Sequence, residues 1–577
     1  MHTPRIESVS IALLLLTANV GAQQANSWST FQANNKHDGA SPIVIQPSSL
    51  TFAWETFVGN GAVYPAAIAD GIVVVTHEET GWGGGIYGLS AATGTQLWDH
   101  FSLPGDRVGQ PGVHSGQVFV VFEDSPLHTM RAYDLQLGTV NFYAGFETQN
   151  FDFFAPSSVD GKVYFNAGRT GGLSALDAAT GVIDWFLDME LGDMWSPSID
   201  GDFCYGYASG FLVAADRHTG AQVYSVQDFG AYTAGVVGHT PVVGGMDDLF
   251  VINGGRLVRF RQSDGQVLWS IYDDFTGHPS IRNGMVYSVN QGALEVRDQV
   301  DGSLLSSWTP PTGNLGENLI LTPGHVIAAT ETDTYLLDRN SLAQAWTYPA
   351  GGWLTLGEGY LLIARPDGYL TAITYNELPQ VISATPDKLN YYESNGQTVT
   401  LHGFGFDEPG ATSVLFGPVG ATQVTVVDAN TLLCDLPDGE PGYFDVSVTD
   451  TSGSTALANA FTFTPAQSVS GDFVLGGQVH LSLRFEEDLG IIGLYDIGQA
   501  RTSPRSVPPL EGGFWLKKFS ILFEVPQWPF GDDLILDFLI PNDPSLLGQS
   551  IQLQSVVGPD PRGYHGAFTN LATITIQ

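Results

Sequence analysis

Few residues of this chain stand at spacings that do chemistry. Gly83-x-Gly85-x-x-Gly88 matches the dinucleotide fingerprint. That loop works only where a strand leads into a helix whose N-terminus takes the pyrophosphate, and no helical period follows. The expectation is a turn between strands. No G-x-S-x-G and no H-E-x-x-H occurs, and the 13 histidines include no i,i+4 pair. The acid pairs Asp247-Asp248, Asp273-Asp274 and Asp532-Asp533 sit among turn residues, so they are read as solvated turns rather than acid–base pairs. Two cysteines, Cys204 and Cys434, lie far apart without a C-x-x-C motif. This removes the common zinc, thioredoxin-like and c-type haem arrangements, and a disulfide is not expected.

The more suggestive set is aromatic. Phe154, Trp195, His239, His278 and Trp353, with Tyr64, each come just before a short apolar strand. Such recurrence asks for repeated elements, and the chain supplies them. A unit recurs as Pro, a short strand, Asp-Gly, a second strand, Ala-x-Asp-x-x-x-Gly and an aromatic. Its clearest copy runs from Pro156 through Asp160-Gly161, Asp177 and Gly181 to Trp185. The closing aromatics Trp54, Trp98, Phe142, Trp185, Tyr224, Trp269, Trp308 and Trp346 are spaced by 38 to 45 residues. That period is one four-stranded propeller blade. Asp-Gly provides the positive φ of a two-residue hairpin. The aromatic packs between neighbouring sheets, and Asp177, Asp216 and Asp264 are expected to cap local backbone N–H groups.

Eight inner strands are counted, the last near Trp353. That eighth unit stops after Ile373 without a closing aromatic. Leu50 to Phe57, holding Trp54, is an aromatic strand with no inner strands before it. It is therefore expected to complete blade eight and hide the open edges of the ring. The five aromatic and imidazole residues Phe154, Trp195, His239, His278 and Trp353 then gather at one mouth of the central channel. There they either stack on a ligand or wedge between blades.

These residues resemble the PQQ-like, quinoprotein-type β-propeller repeat family over residues 28–375, and Trp28-Ser29-Thr30-Phe31-Gln32 with His37-Asp38-Gly39 is similar to that family's start. The resemblance implies fold; its members include dehydrogenases and outer-membrane assembly propellers. The dehydrogenase pattern implies a calcium-holding Glu, Asn and Asp set, a base carboxylate, an aromatic floor and adjacent cysteines. This chain has no adjacent cysteines, and its recurrent acids match turn positions.

Residues 378–465 form a second module. Pro379 to Pro386 reads as a linker-like lead-in, followed by strands around Val399, Phe404, Leu415, Leu433, Val446 and Thr462. This pattern resembles an IPT/TIG immunoglobulin-like domain, with Cys434 as a small buried hydrophobe. Residues 466–577 read as a third, β-rich module with strands at Val479–Leu483, Leu534–Phe538 and Ile551–Leu553. The fold class is all-β: an eight-bladed β-propeller over 23–377, an Ig-like β-sandwich and a C-terminal β-rich module.

Residues 1–22 read as a signal peptide, with Arg5, an apolar run Ile11 to Leu16, and small residues Val20-Gly21-Ala22 before cleavage at Gln23. No Cys follows the run, so no lipid anchor is expected, and no later stretch spans a membrane. The 577 residues carry 21 bases against 60 acids, a net charge of −39. Such a surface repels phosphate and excludes nucleic acid as a partner. The reading is a secreted or envelope binding protein contacting a protein or glycan, with no cofactor. The alternative is a PQQ- or metal-dependent oxidoreductase.

Overall fold

The computed structural model describes residues 27–577, apart from 80–82, 104–106, 124–127, 148–153, 168–170, 190–194, 232–237, 317, 392–393, 407–412, 429, 452, 486–490, 498–499, 504, 508–509, 515, 518–519, 526–532 and 558–566. The expected signal peptide and Asp532 lie outside the described residues. The chain forms two compact units. Among the described residues, one holds 27–42 and 47–375, the other 43–46 and those from 376 onward.

Alternating strands and Gly-containing turns give the first unit eight antiparallel blades in seven sheets, blades 5 and 6 being continuous. Blade 1 spans residues 62–101, blade 2 112–146, blade 3 157–188 and blade 4 198–227. Blades 5 and 6 share the 16-residue strand Val267–Arg282, which is the outer strand of one and the inner strand of the next. Blade 7 spans 320–348. Blade 8 has three strands of its own between Trp353 and Thr374, and Thr51–Phe57 adds the fourth. Trp54 stands opposite Ala372 and Phe57 opposite Tyr369 in that pairing. The ring closes as the missing aromatic implied.

The repeat motif has a visible mechanical role. Asp70-Gly71 and Asp160-Gly161 hold φ between 50° and 76°, the left-handed values of a primed hairpin turn. The closing aromatic of each blade then docks on the next blade's turn. Trp54 Nε1 donates to Ala91 O at 2.7 Å, Trp98 to Leu135 O at 2.9 Å and Trp185 to Arg217 O at 3.0 Å. A Cβ on Gly94, Gly138 or Gly220 would lie 2.4–2.6 Å from those rings. Glycine is needed there both for its φ and for this approach. Asp177 Oδ1 accepts from the backbone N–H groups of Ala179 and Thr180, and Asp216 from those of His218 and Thr219. The hydroxyls of Thr180 and Thr219, the Lys162 ammonium beside Asp177 and these backbone bonds hold both carboxyls below the usual carboxylate range.

Three local expectations are corrected. Gly83, Gly85 and Gly88 lie inside the strand Gly83–Ser90, not in a turn. The Gly88 site is flat because a Cβ there would strike the Trp98 indole at 2.1 Å. Asp248 is no solvated turn acid. It is fully buried at the start of a strand, paired with Arg259 Nε at 2.8 Å and with Gln299 Nε2 at 2.9 Å. Asp273 and Asp274 fall within the shared strand Val267–Arg282. Finally, the lead-in Pro379 to Pro386 contains the strand Gln380–Thr385, paired with Thr398–Phe404.

In the second unit, residues 380–464 form two packed sheets. Val399, Leu401, Val414, Phe416, Leu432, Cys434, Val446, Phe461 and Phe463 alternate inward to make the core. Cys434 is buried there, which pushes its thiol up to about 12. Cys204 is equally buried in blade 4, and both thiols are free. From residue 466 onward, a three-stranded sheet and a larger mixed sheet enclose Leu481, Leu483, Leu534 and Val557. No helix among the described residues is long and apolar enough to cross a membrane.

Candidate functional site

In a four-stranded blade, the loop entering the inner strand and the loop joining strands two and three emerge on the same face. The aromatic positions read from the sequence lie in or beside the first of these loops, with His278 inside the shared strand and Trp353 at the start of its own. Three of them meet around a residue from outside the repeats. Phe31 is buried in the channel, with its ring centroid 4.8 Å from His278, 5.0 Å from Phe154 and 6.1 Å from Trp353. Phe154 and His278 also touch each other at 5.6 Å.

Trp195 does not join them. It is 2% exposed and packs with Tyr164, Leu173, Met189 and Val213 between blades 3 and 4. His239 lies edge-on to Tyr207 at 6.1 Å. Tyr64 donates its hydroxyl to Glu78 Oε2 at 2.5 Å.

Phe31 is placed by the segment 28–41, which threads the channel. Inner strands donate backbone N–H groups to it one after another. Ile68 of blade 1 bonds Trp28 O at 3.0 Å and Val113 of blade 2 bonds Ser29 O at 2.7 Å. Ser158 of blade 3 bonds Asn35 Oδ1 at 3.0 Å. Ile199, Val243, Ile281 and Leu321 of blades 4 to 7 bond the carbonyls of Asn35, Lys36, Asp38 and Gly39. The free inner edges of seven blades are thus satisfied by one chain segment.

His37 sits inside this thread. Its Nδ1 lies 2.6 Å from Phe31 O, and its Nε2 lies 3.0 Å from Ser157 Oγ and 3.1 Å from Pro197 O. Burial lowers the His37 pKa and pushes His239 to about 4. His278 falls to about 3, chiefly by burial and then by the neighbouring His239 and His37. The channel imidazoles are neutral at pH 7. The Nδ1 of His278 is buried without a hydrogen-bond partner among the described residues.

A planar quinone does not fit these residues. Phe31 fills the aromatic centre where a floor would be needed, and the nearby imidazoles offer no positive charge to its carboxylates. Among the described residues no group of three or more His, Cys, Asp or Glu is placed to hold a metal ion.

Beside the filled mouth, the same face opens a cleft of about 580 Å³ at blades 7, 8 and 1. Ala62 and Val63 line it, with Gly313 to Gly316, Thr330 to Thr332, Gly352, Trp353, Ala364 and Pro366. Trp353 belongs to both places, touching Phe31 and facing the cleft. The sequence pointed to Trp353, but Asn314 and Glu331 were missed because they lie in non-repeating loop positions. Phe31 was seen only as part of a lead-in.

On the opposite face a second cleft, of about 480 Å³, lies between blades 4 and 5, lined by Asp200, Asp202, Phe203, Tyr224 and Asp247. Asp200 is already bonded to Lys36 at 2.8 Å and Gln262 at 2.8 Å, and Asp247 to Ser263 at 2.9 Å.

Comparison with known proteins follows this geometry. Residues 152–348 match the PQQ-like repeat model described as outer membrane protein assembly factor BamB, and residues 379–464 match the IPT/TIG domain. No curated protein sequence matches the chain. Among solved structures, BamB from Moraxella catarrhalis is 17% identical, covering 56% of this chain and 99% of its own, with a TM-score of 0.46. Quinohemoprotein alcohol dehydrogenase from Comamonas testosteroni is 14% identical, covering 63% of this chain and 83% of its own, at 0.47. The computationally designed Ika8 protein is 14% identical, covering 56% and 99%, also at 0.47. The repeats of residues 152–348 are therefore of the PQQ-like propeller family, and residues 379–464 are an IPT/TIG domain.

Proposed function

We propose that this chain is a secreted, non-catalytic binding or scaffolding protein that uses its propeller and Ig-like surfaces to contact a protein or glycan. The observation that carries this reading is the filled channel. Phe31 is buried and wedged among Phe154, His278 and Trp353, so the centre of these rings is taken by the chain's own side chain. What the fold leaves open is surface: loop faces, clefts and sandwich edges. The match of residues 152–348 to a model named for an assembly factor supports the same direction, as does the IPT/TIG domain. Secretion rests on the leader-like residues 1–22.

The test uses the purified full-length mature chain. It is incubated with PQQ and calcium and assayed for dye-linked alcohol oxidation, while tagged chain is cross-linked in envelope extracts. No turnover together with a reproducible cross-linked partner is expected. Cofactor-dependent turnover would overturn the proposal.

A further inference from the structure

We propose that the cleft at blades 7, 8 and 1 binds a neutral glycan, with a sugar ring stacked on Trp353 and its hydroxyls bonded by Asn314 and Glu331. This rests on the reading of the propeller as a binder and deepens it by naming the ligand class.

Four observations carry it. First, the cleft is concave and of ligand size, about 580 Å³, within the span of small-molecule sites. Second, its walls are preorganised. A Cβ on Gly352, at φ +146°, would lie 2.1 Å from Ala364 O, and one on Gly316 would lie 3.2 Å from Ala329 O. A Cβ on Gly351 would lie 1.9 Å from Thr330 O, so the loops of blades 7 and 8 pack backbone to backbone. Thr330 Oγ1 accepts from Asp333 N at 3.0 Å and so pins the loop that carries Glu331 and Thr332.

Third, Trp353 is held from behind by Phe31, in an edge-to-face contact at 6.1 Å, and is only partly covered. An indole fixed on one side and open on the other suits stacking against the C–H face of a pyranose. Fourth, Asn314 and Glu331 are exposed at the rim, and neither side chain has a hydrogen-bond partner among the described residues. An amide supplies donor and acceptor, and a carboxylate accepts twice. That mixture around one ring matches a polyol, whose adjacent hydroxyls both donate and accept.

Charge narrows the class. Glu331 at the rim and a net charge of −39 disfavour uronates and sulfated sugars. A peptide strand would seek an open sheet edge, whereas this cleft is lined by loops and by the ends of strands.

The experiment is isothermal titration of the full-length mature chain with malto-, cello- and chito-hexaose. Polygalacturonate and a tryptic peptide pool from envelope proteins serve as controls. At least one neutral hexaose is expected to bind, with Glu331→Ala and Asn314→Ala each weakening it about tenfold. Both sit on the exposed rim, so their melting curves should match the parent. Trp353→Phe should weaken binding while keeping the contact with Phe31. Binding of none of the three hexaoses overturns the proposal. So does binding that ignores Glu331→Ala and Asn314→Ala, or binding of polygalacturonate or peptides alone. The broader reading fails separately: it falls on cofactor-dependent turnover. A cross-linked partner retained by Glu331→Ala chain that binds no hexaose would leave it standing while sinking the glycan.

Discussion

The segments that lead into blades 4 and 8 each deliver a tryptophan within one residue of the same place in the repeat, and the two side chains end in different environments. Trp195 is 2% exposed, lodged where Gly206 and Gly238 leave no side chain. A Cβ on Gly238 would lie 2.1 Å from its ring. Trp353 has no such slot. It is pushed against Phe31 on one side and left open to a cleft on the other. Repeat position brings an aromatic to the channel face, but the size of its neighbours decides whether it becomes core or surface.

The largest expected effect tests the core side of that contrast. Trp195→Ala should cost about 3–5 kcal/mol, because its slot between blades is tightly packed and cannot collapse. Denaturant unfolding followed by circular dichroism measures it. A loss comparable to that of Trp353→Ala, expected at about 1–2 kcal/mol for a partly exposed ring, would erase the distinction.

A buried polar comparison runs alongside. Asp248 with Arg259 and Gln299, and Asp228 with Arg256 and Tyr207, are charged clusters within the blade 4–5 region. Asp248→Ala leaves the Arg259 charge buried without its partner and should cost about 3–5 kcal/mol. Unfolding midpoints in urea report it, and an unchanged midpoint would show the cluster to be dispensable.

How much of this was legible follows from which residues repeat. The ring of eight and its closure by Trp54 could be read because Asp-Gly, Thr-Gly and the closing aromatic each do one mechanical job in every blade. Asp248 was misread because an Asp-Asp pair in sequence gives no sign that Arg259 lies across the strand, with Gln299 reaching in from the next blade. Phe31 was opaque for a similar reason: a thread that satisfies the inner edges of seven blades has no repeat of its own. Of the mouth residues, Phe154, His278 and Trp353 come together around Phe31, whereas His239 packs on Tyr207 and Trp195, at the same repeat offset as Phe154, enters the slot that Gly206 and Gly238 leave. Asn314 and Glu331 belong to loops with no pattern to read.

The thread and mouth also predict a pH dependence. Burial holds His278 at about 3 and His239 at about 4 in the folded protein, both below the free value of 6.5. Between those values the unfolded chain binds the proton and the folded chain does not. Stability is therefore full above pH 6.5 and falls as the pH drops toward 4, by about 3 kcal/mol for His278 alone. Asp38, buried in the same thread with its carboxyl raised, works in the opposite direction at the acid end. Urea unfolding at pH 7, 5.5 and 4 measures the slope. Substituting His278→Gln should flatten it, and an unchanged slope would show that this imidazole is not what titrates.

The smallest effect belongs to the open side of the contrast. Trp353→Phe keeps an aromatic ring against Phe31 and removes mainly the part that faces the cleft. The lost area is surface that water already reaches, so little burial is forfeited and no large cavity forms. The unfolding free energy should change by less than about 1 kcal/mol. Intrinsic fluorescence should lose one solvent-facing tryptophan, and the remaining emission should shift to shorter wavelength. A cost near that of Trp195→Ala would mean that Trp353 is a wedge like its counterpart in blade 4, and that the cleft beside it is only the outer surface of a packed joint. A small cost with the blue shift would leave the ring free on its outer side, as a stacking platform requires.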